Sequence, residues 1–344
     1  GGVAGALAPH SRTPIPFARQ WPIKPDICIE GGNVLTDGAT DFHERHPVLS
    51  LRTTGHRNDL SLTSANATSA ATAQAARLAA MVMSRYPGYW PETVRGLLTH
   101  AAEWTPSMRR ELDASSNKNG KLLLLRRYGW GVPTEGAVLS SRERAVTMVV
   151  QDQFVPFAGE EVRERRFRLH ALPWPREVLE GLGETDVRLR VTLSYFIEPS
   201  ASRRGWRQRC SYPSRGLRFD LQGTLESQQQ FVQRVNRSAE SEESAPIVRS
   251  SPATTSERWL LGSNQRHLGS LHQDDWCGAG AELARCNSIA VYPVGGWWKN
   301  NSRSERSGLA IRYSLLVSLR TAAPVDLYTP IANEIGLPVA IEIN

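Results

Sequence analysis

The stretch Ser64–Val82, SANATSAATAQAARLAAMV, decides how this chain is read. Small residues crowd around Ser69, and an alanine-rich apolar helix starts on top of it. Alanine is the best helix former, and small residues fall here on nearly every side. That predicts a helix from Ser69 to about Tyr86, buried all round. Ser69 then has two readings: a nucleophile at a helix N-terminus, or one small polar residue in a tightly packed helix. Taken alone, the motif favours packing.

Downstream, Pro91 to Trp104 predicts a second helix, with Pro91 in the first turn, Glu92 beside it, and Val94, Leu97, Leu98 and Ala101 at helical spacing. Upstream, residues 1 to about 59 carry turn signals at Pro14, Pro16, Pro22, Pro25, Gly31, Gly32 and Gly38 around short apolar pieces such as DICIE, which reads as loops and short strands. After RRYGWGVP, a Gly-rich turn, Thr134 offers an N-cap for one more short helix.

The character then changes to strand-like segments: AVTMVVQDQFVPF, RRFRLHAL, DVRLRVTLSYFIE, GLRFDL, NSIAVYPV, GLAIRYSLLVSL, PVDLY and LPVAIEI. In DVRLRVTLSYF, Val187, Leu189, Val191, Leu193 and Tyr195 share one face, and Arg188, Arg190, Thr192 and Ser194 the other. A boundary near residues 143–147 therefore separates an α/β piece, residues 1–144, from an antiparallel β-sandwich, residues 145–344. Inside the second piece, residues 223–258 are rich in Ser, Glu and Gln and poor in core residues. They read as an insertion with one short helix and a mobile loop.

The 344 residues give room for two domains. No run approaches the roughly 20 apolar residues of a membrane helix. Lys and Arg exceed Asp and Glu by 7, but the arginines are scattered along strands and read as solvated faces, not as a nucleic-acid groove. The densest patch, SRRGWRQRC, places Trp206 among Arg203, Arg204, Arg207 and Arg209 and reads as an exposed loop; phosphate-backbone binding is the weaker alternative. Cys28, Cys210, Cys277 and Cys286 show no CxxC spacing, which fits reduced thiols and a cytoplasmic setting. DFHERH, with His43 and His46 three apart, offers no obvious third metal ligand. In GGWWK, Trp297 and Trp298 read as buried corner residues before a carbohydrate or peptide platform. No cofactor is expected. The opening GGVAGALAPHSRTP has no signal-peptide pattern and reads as the middle of a domain.

Several segments carry a resemblance. Ala67-Thr68-Ser69-Ala70-Ala71-Thr72-Ala73 resembles the nucleophile segment Gly-Thr-Ser-x-Ala-x-Pro of subtilisin-like serine peptidases, with Ala67 in place of the glycine and Ala73 in place of the proline. APHSRTP resembles the family's Phe-Ser-Ser-Arg-Gly-Pro loop, and IKPDICIEGGN its Lys-Pro-Asp-Val-x-Ala-Pro-Gly strand and turn. WPETVRGLLTHAAEWT resembles the helix after the serine helix, and RRYGWGVP the closing Gly-Tyr-Gly turn. The later LPWPREVLEGLGETDVRLRVTLSYFIEP and YPVGGWWK are similar to a bacterial subgroup found beside AAA-type ATPases.

The resemblance implies the C-terminal part of a parallel-sheet α/β peptidase domain followed by a β-sandwich. Ser69 is then the nucleophile of a serine endopeptidase acting on peptide or protein substrates, with an AAA-type ATPase as a partner to test. A serine in the first turn of a helix has an amide N–H and a helix dipole available to an oxyanion. The family's upstream Asp, His and Asn motifs are missing: no His-Gly, Asp-Ser-Gly or Asp-Thr-Gly occurs. His10, His43, His46, His56 and His100 are the local histidines, and none reads as a substitute base. Asn66 reads as a turn or cap residue. The 344 residues alone are expected to be inactive, and the rival reading is a non-catalytic interaction protein derived from a peptidase.

Overall fold

The computed structural model describes residues 3–13, 22–39, 41–43, 46–57, 59–139, 145–158, 164–199, 213–244, 257–296, 298, 308–325, 327 and 340–342. The chain divides into two compact units. One comprises Gly1–Arg19, Ile23–Tyr89 and Leu97–Ser140; the other comprises Gln20–Pro22, Trp90–Gly96 and Ser141–Asn344.

The first unit opens with β1 (Leu35–Thr36), β2 (Phe42–His43) and one 3-10 turn (Pro47–Leu49), followed by β3 (Leu51–Arg57) and β4 (Leu60–Ala65). β1 pairs with β2 and β3 with β4, each as an antiparallel two-stranded ribbon. Helices α1 (Thr68–Arg85), α2 (Pro91–His100), α3 (Pro106–Asp113), α4 (Lys118–Tyr128) and α5 (Glu135–Leu139) complete the series, with the first six residues of α2 counted in the second unit. The last three are set by side-chain caps. The Thr105 hydroxyl accepts from Met108 N with Pro106 in the first turn, Asn117 Oδ1 accepts from Gly120 N at 2.8 Å, and Thr134 accepts from Ala137 N at 3.3 Å.

Two expectations change here. The parallel sheet does not occur among the described residues, where every strand pairing is antiparallel. A strand needs a neighbouring ladder. DICIE is no strand here, and residues 26–28 instead exchange two backbone bonds with Trp130 and Gly131, Cys28 N to Gly131 O at 2.8 Å and Trp130 N to Asp26 O at 3.0 Å. Nor is α1 buried all round. Only Leu78 and Val82, one turn apart, are fully buried, while Thr72, Ala73, Ala76, Ala80 and Met83 are exposed. Alanine favours the helix through its low entropy loss, which works equally well in water.

The second unit contains β5 (Ala145–Phe154), β6 (Phe157–Ala158), β7 (Glu164–Arg165), β8 (Arg168–Ala171), α6 (Arg176–Gly181), β9 (Asp186–Tyr195), β10 (Gly216–Leu221) and α7 (Gln228–Ser244). It continues with β11 (Leu271–Ala279), α8 (Gly280–Leu283), β12 (Ser288–Val294), β13 (Ile311–Thr321) and β14 (Ala340–Glu342). Two four-stranded antiparallel sheets result, ordered β11-β9-β13-β5 and β10-β12-β8-β14. One apolar core draws on both: Val187 to Tyr195 and Ile311 to Leu319 at alternate positions from the first, and Leu217, Phe219, Leu221, Ile289 and Val291 from the second.

The other face of β10-β12-β8 packs Phe167, Leu169, Ala290, Tyr292 and Val294 against Phe231, Val235 and Ala239 of α7. The segment read as a core-poor insertion thus covers a sheet with one apolar stripe at helical spacing. Its remainder, residues 245–256, lies outside the described residues, as do residues 200–212 with the arginine patch, and Trp297. Trp298 is buried, with the Arg215 guanidinium 4.3 Å above its ring.

The arginines depart furthest from expectation. Arg190 and Arg266 are each only 3% exposed. Arg190 makes a bidentate pair with Asp275, Nε to Oδ1 at 2.7 Å and Nη2 to Oδ2 at 2.9 Å. Arginines also close the edge of β10: the carbonyls of Leu217, Phe219 and Leu221 accept from Arg218 at 3.0 Å, Arg266 at 2.7 Å and Arg234 at 2.9 Å. Carbonyls occupied this way are poor templates for another strand, which protects the edge from aggregation.

Candidate active site

Ser69 is the second residue of α1, and its side chain is exposed. The residue at the N-cap is Ala67, which has no side-chain oxygen to take the N–H of the second or third helical residue. Its carbonyl does start the ladder, accepting from Ala70 N at 3.1 Å and Ala71 N at 3.4 Å. The Ser69 amide is one of the first-turn donors that a helix cannot satisfy internally. The positive end of the 18-residue α1 dipole adds to its attraction for an anion.

The turn that presents Ser69 is strained. Ala67 has φ 78° and ψ −179°, a combination that is essentially glycine's alone, and among the described residues it is the one non-glycine with positive φ. Neighbouring segments hold it there. A Cβ on Gly31 would lie 3.0 Å from Ala67 O and 3.1 Å from Ala71 Cβ, and one on Gly32 would lie 2.7 Å from Asn66 Cβ. Both glycines allow the loop to approach that closely. Asn66 Nδ2 donates to Asn33 O at 3.2 Å, and Asn33 N donates to Leu49 O at 2.7 Å, so Asn66 acts as a turn brace.

The strain at Ala67 amounts to about 1 to 3 kcal/mol. Glycine there would relieve it at an entropic cost of roughly 0.5 to 1 kcal/mol. Ala67→Gly is therefore expected to stabilise the chain by about 1 kcal/mol in urea denaturation, and equal or lower stability would show that the turn carries no strain.

None of the sequence-identified histidines is hydrogen-bonded to Ser69, whose hydroxyl has no hydrogen-bond partner among the described residues. His43 and His56 are exposed on the two ribbons. His46 Nδ1 accepts from Val48 N at 3.4 Å. Nε2 of His10 is enclosed without a hydrogen bond, and His100 is buried at the end of α2. His43 and His46 build no metal site, since no group of three or more His, Cys, Asp or Glu side chains is placed to hold an ion among the described residues.

Cys28 and Cys286 are no rival nucleophiles. Burial pushes the Cys28 thiol up to about 11, with Sγ donating to Tyr128 O at 3.1 Å, and burial pushes Cys286 up to about 12. Both stay protonated and inert at neutral pH.

The chemistry available at this site is that of an exposed serine hydroxyl with its own amide N–H at a helix terminus. The Gly31–Gly32 cradle and the strain at Ala67 escaped the sequence reading. The sequence signals for them were the turn glycines Gly31 and Gly32 and the alanine where the resembling pattern has glycine. No curated protein matches this chain. The comparison with family models assigns one segment: residues 2–131, Ser69 among them, match the model of the subtilase family of serine peptidases, Peptidase_S8.

Proposed function

We propose that Ser69 is the nucleophile of a subtilisin-like serine endopeptidase and that these 344 residues supply the nucleophile-bearing part of its catalytic domain. The observation that carries this reading is the coincidence of the matched segment with a serine held outward at the start of α1 by a braced turn. In the reaction, Ser69 Oγ bonds to the carbonyl carbon while a histidine takes its proton. The C–N bond then breaks, the amine leaves with that proton, and water releases the acyl group. The Ser69 amide would stabilise the oxyanion. The histidine and its orienting carboxylate belong, in this reading, to sequence beyond these residues.

Labelling with a fluorophosphonate, mapped by peptide mass spectrometry, tests both parts. In the complete gene product the label is expected on Ser69, with peptide hydrolysis falling by a factor of about 10⁴ to 10⁶ in Ser69→Ala. The isolated 344 residues are expected to stay unlabelled. Label on another residue of the complete product removes Ser69 from the role, and label on the isolated chain shows a base within it.

The rival reading, a non-catalytic interaction protein docking a partner such as an AAA-type ATPase, is favoured by Ala67 in a glycine-only geometry. No label and no hydrolysis in the complete product would establish it. A cytoplasmic setting belongs to the same proposal and is supported by the unpaired thiols of Cys28, Cys277 and Cys286.

A further inference from the structure

A buried polar chain joins the two sheets of the second unit. β8 sends His170 and Arg168 toward the sheet that holds β5 and β13. His170 Nε2 lies 2.7 Å from the Tyr313 hydroxyl, which donates to Asp152 Oδ2 at 3.0 Å; Arg168 Nε donates to that same oxygen at 3.1 Å. His170 is 6% exposed and Tyr313 is fully buried. The direction of the chain follows from proton counting. Tyr313 has one hydroxyl proton and gives it to the carboxylate, so its lone pair accepts, and His170 must be the Nε2–H tautomer donating to it.

The groups around His170 can be named element by element. Arg168 lies on its own strand, Asp152 on β5 and Tyr313 on β13, while its register partners Ile289 on β12 and Ala340 on β14 are uncharged. Glu342 of β14 stands in register with Arg168. The Arg168 guanidinium also lies 5.6 Å from the Phe154 ring centre.

We propose that this chain is an acid-released latch between the two sheets, held closed by neutral His170 and opened when His170 takes up a proton. A charged imidazolium in this position loses its water, a cost that outweighs the attraction of Asp152. Separating β8 from β5 and β13 restores its hydration. β8 is only four residues long and its outer neighbour β14 three, so this corner has little ladder to resist opening.

Burial lowers the His170 value to about 4, against an opposing pull from Asp152 that exceeds the further lowering by Arg168. The open state takes a proton below roughly pH 6.5 and the closed state only below about 4. The latch is therefore fully favoured above pH 6.5 and weakens tenfold per pH unit on the way down, roughly 300-fold in all. Two other buried groups are shifted by their surroundings. His272 likewise resists charging, while burial raises Asp274 to about 6, which favours the folded state in acid; neither is hydrogen-bonded to His170.

The test uses the full chain with ring-labelled histidine, followed by NMR from pH 7 to 4, together with amide exchange of β8 corrected for the intrinsic pH effect. The His170 ring is expected to stay neutral as the Nε2–H tautomer until about pH 4, with β8 protection falling toward that point. In His170→Gln, which keeps a donor and cannot charge, the acid loss of β8 protection should disappear. A ring that titrates near pH 6.5 with β8 still protected overturns the proposal, as does an unchanged acid profile in the variant. Should that variant fail to fold, Tyr313→Phe decides: the latch predicts low β8 protection already at pH 7 and no further acid step, and retained protection refutes it.

Discussion

Asp275→Ala is expected to destabilise the second unit by about 3 to 5 kcal/mol, because it leaves the Arg190 guanidinium without its carboxylate in a place where water cannot reach it. Arg190 is 3% exposed, and its Nε and Nη2 both donate to Asp275, at 2.7 and 2.9 Å. Arg188 makes a looser contact with the same carboxylate at 3.8 Å, which the substitution removes as well. Urea unfolding of the full chain reads the effect.

The pair itself is not what makes the fold stable, since the attraction between buried charges is largely cancelled by their desolvation. Replacing both partners, Arg190→Met with Asp275→Leu, should therefore recover most of the loss. A double variant as unstable as the single one would mean that the ion pair contributes net stability that apolar packing cannot supply.

Gly131→Ala is the second large effect, an expected loss of about 2 to 5 kcal/mol in the first unit from a left-handed backbone plus steric overlap. Gly131 has φ 100°, and a Cβ there would overlap the Glu103 backbone. That backbone cannot move away cheaply, because Glu103 and Val132 exchange two hydrogen bonds, at 2.8 and 3.2 Å. Gly183→Ala is the control: φ is 54°, nothing lies within 4 Å of the added carbon, and only the backbone part of the cost, about 1 to 2 kcal/mol, remains. Equal losses at both positions would show that the contact with Glu103 is unimportant. The Gly131 carbonyl also anchors Cys28, two residues before the Glu30–Gly32 segment, in which Glu30 Oε1 accepts from Gly32 N at 2.7 Å. Damage at Gly131 is expected to reach the brace around Asn66 and Ala67.

Local signals settled much of this protein from the sequence. Alanine content and the periodicity of Pro91–His100 set α1 and α2, because helix propensity and one-face burial act within a few residues. Strict alternation in DVRLRVTLSYF gave β9, since side chains on a pleated strand alternate whatever lies around it. Ordered short motifs around Ser69 pointed to the same family that residues 2–131 match.

Tertiary structure decided what depends on distant partners. LHQDDWCGA is not among the segments that read as strands in the sequence, yet Leu271–Ala279 is a buried strand. Asp274 accepts from Leu261 N and Gly262 N, and Asp275 is held by an arginine 85 residues away, so charge no longer forces the segment into water. Arg190, Thr192 and Ser194 share the polar face of β9 and are all buried; Arg190 pairs with Asp275 and the Thr192 hydroxyl donates to Gln273 Oε1, so for these two a protein partner supplies what solvent otherwise would. At Ser69 the sequence could name the nucleophile candidate and note the alanine before it. Only the packing of Gly31, Gly32 and Asn66 against that turn fixed Ala67 at positive φ, since a backbone angle is set by everything that touches it and not by the residue alone.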